Sequence, residues 1–296
     1  MDNPDEGQVW QQAMLDIAMG DGDFLPLGDR HWAFFAEQRP FLLVTFEDAA
    51  ALRTSDDKLP EHFALAKARG WSLLTILAEG ETWWRDPAVY DYFDRLSDDS
   101  FLEDFDNVIF YGAGAAGYAA AAFSIAAPGA ELVLVAPRAT MDPAIAGWDD
   151  RHRSARRLDF TDRYGFAPDM TESASRVWVI HDPLNPPDAM HAALFHRPWA
   201  TPLLARRTGE GTEDTLQEMQ VLDRILEAAM ERKFSAEVFS WLWRGRRSNA
   251  SYLRATLAAA RLSGHPRREA MVCRSVTARL DAPRFARRLA ELNGEV

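Results

Sequence analysis

Apolar positions along this chain follow two patterns, and the change from one to the other divides it. From about residue 41 to 232, short unbroken apolar runs alternate with longer stretches of helical period. The runs fall at 41–46 (Phe-Leu-Leu-Val-Thr-Phe), 72–77, 107–111, 131–136, 176–181 and 201–205. Runs of this length predict strands buried on both faces, as in a parallel sheet. The intervening segments, such as 118–127 and 188–195, are long enough for crossover helices. This alternation predicts an α/β fold built on a mostly parallel, doubly wound sheet. Beyond residue 219 the strand signals stop. Residues 235–247, 251–262, 267–280 and 283–292 read as helices. The breaks carry Ser248-Asn249, Gly264-His265-Pro266 and Asp281-Ala282-Pro283, which supply stops and starts. The expected organisation is a helix near 9–19 and an irregular stretch within residues 1–40, an α/β domain over 41–232, and an all-helical lobe over 233–296.

Composition leaves this picture intact. At 47% hydrophobic and 26% charged, the 296 residues can build a sizeable core. Charge adds more. Residues 233–296 hold 13 Lys+Arg against 5 Asp+Glu, whereas the preceding 232 hold 20 against 40. An acidic body argues against nucleic acid as a partner. The basic lobe is expected to dock on that body or on another copy of the chain, as in a homo-oligomer. The segment Met1-Asp-Asn-Pro-Asp-Glu6 lacks the basic and apolar regions of a signal peptide. No apolar run approaches the roughly 18 residues that span a bilayer. A single cysteine, Cys273, excludes an internal disulfide and a cysteine zinc cluster. A cytoplasmic protein with no membrane partner and no metal is the expectation.

The candidate chemistry centres on one turn. Strand 107–111 runs into Gly112-Ala113-Gly114-Ala115-Ala116-Gly117 and then an alanine-rich helix. Gly112, Gly114 and Gly117 satisfy the G-x-G-x-x-G fingerprint of dinucleotide-binding proteins, in the strand–turn–helix context it requires. On that reading Arg138, at the end of the next strand run, suits the 2′-phosphate of NADP. The fingerprint usually opens its domain, whereas about 100 residues and two strand runs precede it here.

The same run, Phe110-Tyr-Gly-Ala-Gly-Ala-Ala-Gly-Tyr-Ala119, resembles the strand-to-helix elbow of bacterial α/β-hydrolases, G-x-S-x-G, whose catalytic acid and histidine follow later in the chain. The resemblance covers about residues 41–230. It places the nucleophile position at Gly114, with Ala116 at the second elbow glycine. It places the acid at Asp188, with Asp182 as the other candidate, and Glu210 where the histidine belongs, before a helix over 214–232. Serine hydrolysis needs an oxygen nucleophile, a base and an orienting acid. Gly114, Asp188 and Glu210 supply only the acid, so the resemblance implies a degenerate triad and a non-catalytic protein.

The wider stretch from Tyr92-Phe-Asp-Arg95 to Asp188-Ala-Met-His-Ala192 resembles a bacterial family named phosphoadenosine phosphosulfate reductase, which implies sulfonucleotide binding. The chain has neither a Ser-Gly-Gly pyrophosphate loop nor a Glu-Cys-Gly motif. Cys273 lies in a predicted helix and reads as a buried thiol.

Both readings of the turn leave backbone N–H groups at a helix start, able to meet an anion. The candidate ligand residues are therefore Gly112, Ala113, Gly114, Ala115, Gly117, Arg138 and His181, the last at a strand end facing the ligand crevice. The expected ligand is small and anionic or nucleotide-like, with a partner protein as the alternative occupant. His191 and His196 flank a helix end. Ser124 reads as packing, the arginine-rich stretch 148–157 as an ion-pair network, and Trp83, Trp84, Trp241 and Trp243 as hydrophobic filling.

Overall fold

The computed structural model describes residues 22–294 together with residues 10, 12 and 14–16. Eight strands form one sheet: β1 (Gly22–Leu27), β2 (His31–Ala36), β3 (Phe41–Asp48), β4 (Ser72–Ala78), β5 (Asn107–Ala113), β6 (Glu131–Val135), β7 (Arg176–His181) and β8 (Ala200–Leu204). Their order is β1-β2-β4-β3-β5-β6-β7-β8. β2 runs against both neighbours and every other pairing is parallel. With helices on both faces, this is an α/β-hydrolase-like sheet, followed by C-terminal helices.

The apolar runs behave as expected of buried parallel strands. Leu42, Val44, Leu74, Ile76, Val108, Phe110, Leu132 and Leu134 pack into the core on one face. The residues between them, Leu43, Leu73, Ile109, Tyr111 and Val133, pack on the other. Side chains alternate across a strand, so continuous apolar sequence is what two covered faces require.

Two expectations need correction. Residues 22–36 are not irregular but form the β1–β2 hairpin, turning at Gly28 with φ +68°. The Gly, Asp and Pro residues that suggested loop mark the turn and an edge strand. Pro26 lies on β1, at the margin of the sheet, where a missing ladder N–H costs little. The single helix expected over 214–232 is two, Thr212–Glu218 and Leu222–Met230. Gln220 between them sits at φ +54°, a conformation that ends a helix. The break carries the second helix under the sheet, where the Asn107 side-chain amide donates to the Met230 carbonyl at 3.0 Å. Of the helix expected near 9–19, only residues 10, 12 and 14–16 are described, and the acidic 1–6 segment lies outside the described residues.

The C-terminal helices are Ala236–Leu242, Ala250–Leu262, Pro266–Thr277 and Pro283–Asn293. The last three share a small core of Leu253, Leu257, Cys273, Val276 and Phe285, which buries the Cys273 thiol. Their bonds to the body include the Tyr252 hydroxyl donating to the Arg206 carbonyl at 2.9 Å and Ser251 donating to Glu218 at 2.7 Å. Among the described residues, no helix is long and apolar enough to cross a membrane.

Candidate functional site

The glycine turn is an elbow in which the helix Gly114–Phe123 starts directly from β5. Ala113 is extended and Gly114 sits at φ +56°. The three glycines do different work. A Cβ on Gly112 would lie 2.3 Å from the Ala116 carbonyl oxygen, so the strand end meets the first helical turn backbone to backbone. A Cβ on Gly117 would lie 3.0 Å from both the Gly112 carbonyl oxygen and Pro137, which lets the helix approach the exit of β6. A Cβ on Gly114 would meet nothing within 4 Å. The apex therefore has room for a side chain and carries none; only its positive φ favours glycine.

The chain leaves β3 toward β4 on one side and leaves β5 toward β6 on the other. Adjacent strands whose connections diverge open a crevice at their carboxyl ends, the usual ligand position in open α/β sheets. A cavity of about 540 Å³ lies there, within the size range of small-molecule sites. Its walls come from the end of β3, the following helix Ala49–Thr54 and its loop, and the elbow residues Tyr111, Gly112, Ala113 and Ala116, with Glu213 closing the rim.

The lining is acidic. Glu47, Asp48, Asp57, Glu61 and Glu213 border the cavity, and none of the described residues lining it is Lys or Arg. Each carboxylate has a neutral donor. Glu47 accepts from the Glu61 backbone N–H at 3.1 Å and from the Thr45 hydroxyl at 3.2 Å. Asp48 caps the Ala49–Thr54 helix by accepting from the Ala50 and Ala51 N–H groups. Asp57 accepts from the Leu59 N–H at 3.1 Å. Glu61 accepts from the Gln217 amide, and Glu213 from the Tyr111 hydroxyl. Burial pushes Glu47 and Glu213 up to about 7, with neighbouring carboxylates adding to it. Burial, then Asp223 and Asp214, also raises Glu61. His62, 4% exposed, lies against the Tyr111 ring at 4.8 Å. Burial lowers it to about 4, so its imidazole is neutral.

The opposite flank of the elbow is built differently. Asp149 takes the Arg151 guanidinium in two parallel bonds of 2.9 and 2.6 Å. Arg151 also donates to Asp188 at 2.8 Å, and Arg138 donates to the same oxygen at 3.0 Å. His191 accepts the Ala139 N–H on Nδ1, which leaves Nε2 to donate to Asp149 at 3.0 Å. Burial, with Arg138 beside it, holds His191 down at about 4. Burial alone would raise Asp149, but its bonds from Arg151 prevail and hold it well below the usual carboxylate range.

These positions redraw the candidate site. Gly112 and Ala113 line the cavity; Gly114, Ala115, Gly117, Arg138 and His181 do not. Arg138, expected to hold a 2′-phosphate, is buried and spent on Asp188 and the Ala136 carbonyl. An anionic ligand, expected at the turn, would face five carboxylates. The helix N-terminus offers only about half a positive charge in return. His181 borders a separate cavity of about 230 Å³ behind the helix Pro186–Leu194, along with His196. Asp188 is enclosed by arginines, and Asp182 is the acid that reaches the 208–211 turn, accepting from the Gly209 N–H at 2.9 Å. Glu210 is 74% exposed and lies 3.9 Å from Arg151. Ser124 bonds the Ala121 carbonyl inside the core. Trp83, Trp84 and Trp243 are buried, whereas Trp241 is exposed, not filling.

Sequence reasoning missed the cavity carboxylates because they come from two distant segments, 47–61 and the helix start at Glu213. The one signal was Glu47-Asp48 at the carboxyl end of a central strand run.

No family model matches the chain, and no curated protein matches it. Solved structures do resemble it. A hyperthermophilic esterase from the archaeon Pyrobaculum calidifontis is 17% identical over 82% of this chain and 94% of its own, with a TM-score of 0.42. A capsule O-acetyltransferase of Neisseria meningitidis serogroup A is 10% identical over 71% and 99%, with a TM-score of 0.46. A putative esterase from Staphylococcus aureus is 12% identical over 77% and 94%, with a TM-score of 0.45. Likeness at this level says nothing about what the chain does.

Proposed function

We propose that this chain is a non-hydrolytic α/β-hydrolase-like protein that binds a small ligand in the cavity beside its elbow. The observation that carries the reading is Gly114. The elbow's apex has space for a nucleophile and presents a bare Cα. The remaining triad positions point the same way. Asp188 neutralises Arg138 and Arg151, and Glu210 sits in solvent beside Arg151. Without an oxygen nucleophile and an imidazole base, acyl-enzyme chemistry has no route through this elbow. The ligand site moves to the switch-point cavity, where Gly112 and Ala113 contribute backbone.

The NADP reading is weaker on the same residues, because Arg138 is buried and ion-paired with Asp188, and the cavity is acidic. A sulfonucleotide meets the same electrostatic obstacle. The test is turnover of p-nitrophenyl butyrate by the purified protein, alongside Gly114→Leu, whose side chain would occupy the apex. The expected result is no turnover above buffer. Turnover that co-purifies with the protein and is lost in Gly114→Leu overturns the reading.

A further inference from the structure

The cavity's polar atoms are a set of acceptors in search of a donor. Five carboxylates border it, none ion-paired to another described residue. On the other flank of the elbow the buried Asp149 and Asp188 are paired with arginines. An acidic cluster alone can be a solvated rim. His62 is the second observation. Its side chain is 96% removed from solvent, lines the cavity, and makes no hydrogen bond to another described residue. An imidazole that no side chain or backbone group engages is open to bond whatever occupies the cavity. Phe46 and Tyr111 add aromatic walls, suited to a cation that has shed its water.

We propose that the cavity binds a small organic ammonium ion, held by Glu47, Glu61 and Glu213 and by the imidazole of His62. An ammonium group is donor-only, with three N–H bonds to give, which complements carboxylates and a neutral imidazole. Its charge supplies the cation that no described lining residue provides. An anion of equal size gains nothing from the same walls. Binding has a proton signature, because a bound cation favours the ionised form of carboxylates that burial holds up near neutrality. The groups facing the site are Asp48, Asp57, His62 and Tyr111 besides the three glutamates. His62 is neutral throughout that range, so the proton release belongs to the glutamates.

This inference takes the cavity as the ligand site, as above, but does not depend on the elbow being inactive. The probes are 1,4-diaminobutane and n-butylamine, titrated calorimetrically at low salt, with butyrate as the matched anion. The amines are expected to bind, releasing protons and binding more tightly as pH rises from about 6 to 8, while butyrate does not bind. Glu47→Gln and Glu213→Gln should each weaken diamine binding about tenfold or more with circular dichroism unchanged. No heat from either amine at millimolar concentration overturns the proposal, as does butyrate binding equally well, or amine binding indifferent to both substitutions. The comparison of amine with butyrate on the unaltered chain stands whether or not the variants fold. Ester turnover with amine binding intact would sink the non-hydrolytic reading and spare this one; failed amine binding without turnover does the reverse.

Discussion

The two flanks of the elbow handle their acids in opposite ways. On the β6–β7 side, Asp149 and Asp188 are closed in by Arg138 and Arg151. On the β3 side, Glu47, Glu61 and Glu213 share a cavity in which no described cation pairs with them. In the first, arginines of the chain itself neutralise the acids. The second holds its carboxylates with neutral donors, raises them by burial, and leaves them open to whatever enters. A structural ion-pair network and a binding site can thus be told apart by who neutralises the charge, even when both border the same turn.

The sharpest way to break the comparison is to remove one acid from the closed flank. Asp149→Ala strips the bidentate partner from Arg151 and the acceptor from His191, leaving buried charge uncompensated. Losing one member of a buried pair typically costs about 3–5 kcal/mol, read as the midpoint shift in urea denaturation. A loss below about 1 kcal/mol would mean the network is solvated and the contrast false.

The elbow between the flanks gives the next largest effect. Gly112→Ala drives a Cβ to 2.3 Å from a carbonyl oxygen, and backbone cannot yield cheaply. A cost of about 1–3 kcal/mol or more is expected. Gly114→Ala meets open space and pays only for its positive φ, about 1–2 kcal/mol. Equal costs at the two positions would contradict the elbow geometry.

Where the sequence was legible, one segment carried the whole signal. Strand runs such as Leu42–Phe46 on β3 and Val108–Tyr111 on β5 declare two covered faces by themselves, and the glycine turn declares a strand-to-helix junction. The caps of the C-terminal helices were equally local: Asn249 accepts from the Tyr252 N–H, as its position after Ser248 suggested. What stayed hidden depends on partners far along the chain. Arg138 looked free because Asp188 lies 50 residues away. Glu47 looked like an ordinary strand end, since Glu61 and Glu213 reach it only after the sheet and its crossovers have formed. The β1–β2 hairpin was obscured because its turn residues and its edge-strand proline resemble loop.

On the open flank the expected sign reverses. Glu47→Gln and Glu213→Gln remove carboxylates that burial disfavours in their charged form. Both side chains are only half-buried, so after discounting for solvent each change should stabilise the protein by about 1 kcal/mol near pH 8. That is a rise of about 2 °C in Tm for a chain of this size. Destabilisation by both would mean that the Tyr111 and Thr45 hydrogen bonds outweigh the burial of charge.

The smallest and most discriminating effect is the shape of stability against pH. His62 and His191 have folded values near 4, below the ordinary 6.5, and His31 and His181 are lowered too. Between those limits the unfolded chain binds more protons, so stability rises with pH up to about 6.5. Glu47 and Glu213 have folded values near 7, above the ordinary 4.5. For them the folded chain holds the extra protons, and the stability they contribute is lost as pH rises through about 7. Below about 6.5 the two sets oppose one another; above it only the glutamates still titrate. Stability without ligand should therefore peak near pH 6.5 and decline on the alkaline side, by urea midpoints taken from about pH 5 to 8.5. The Glu47→Gln, Glu213→Gln double variant should flatten the alkaline arm and leave the acid arm, to which His191 on the closed flank contributes. If the alkaline decline survives in the double variant, the cavity carboxylates are not its source, and the open flank is no more strained than the closed one.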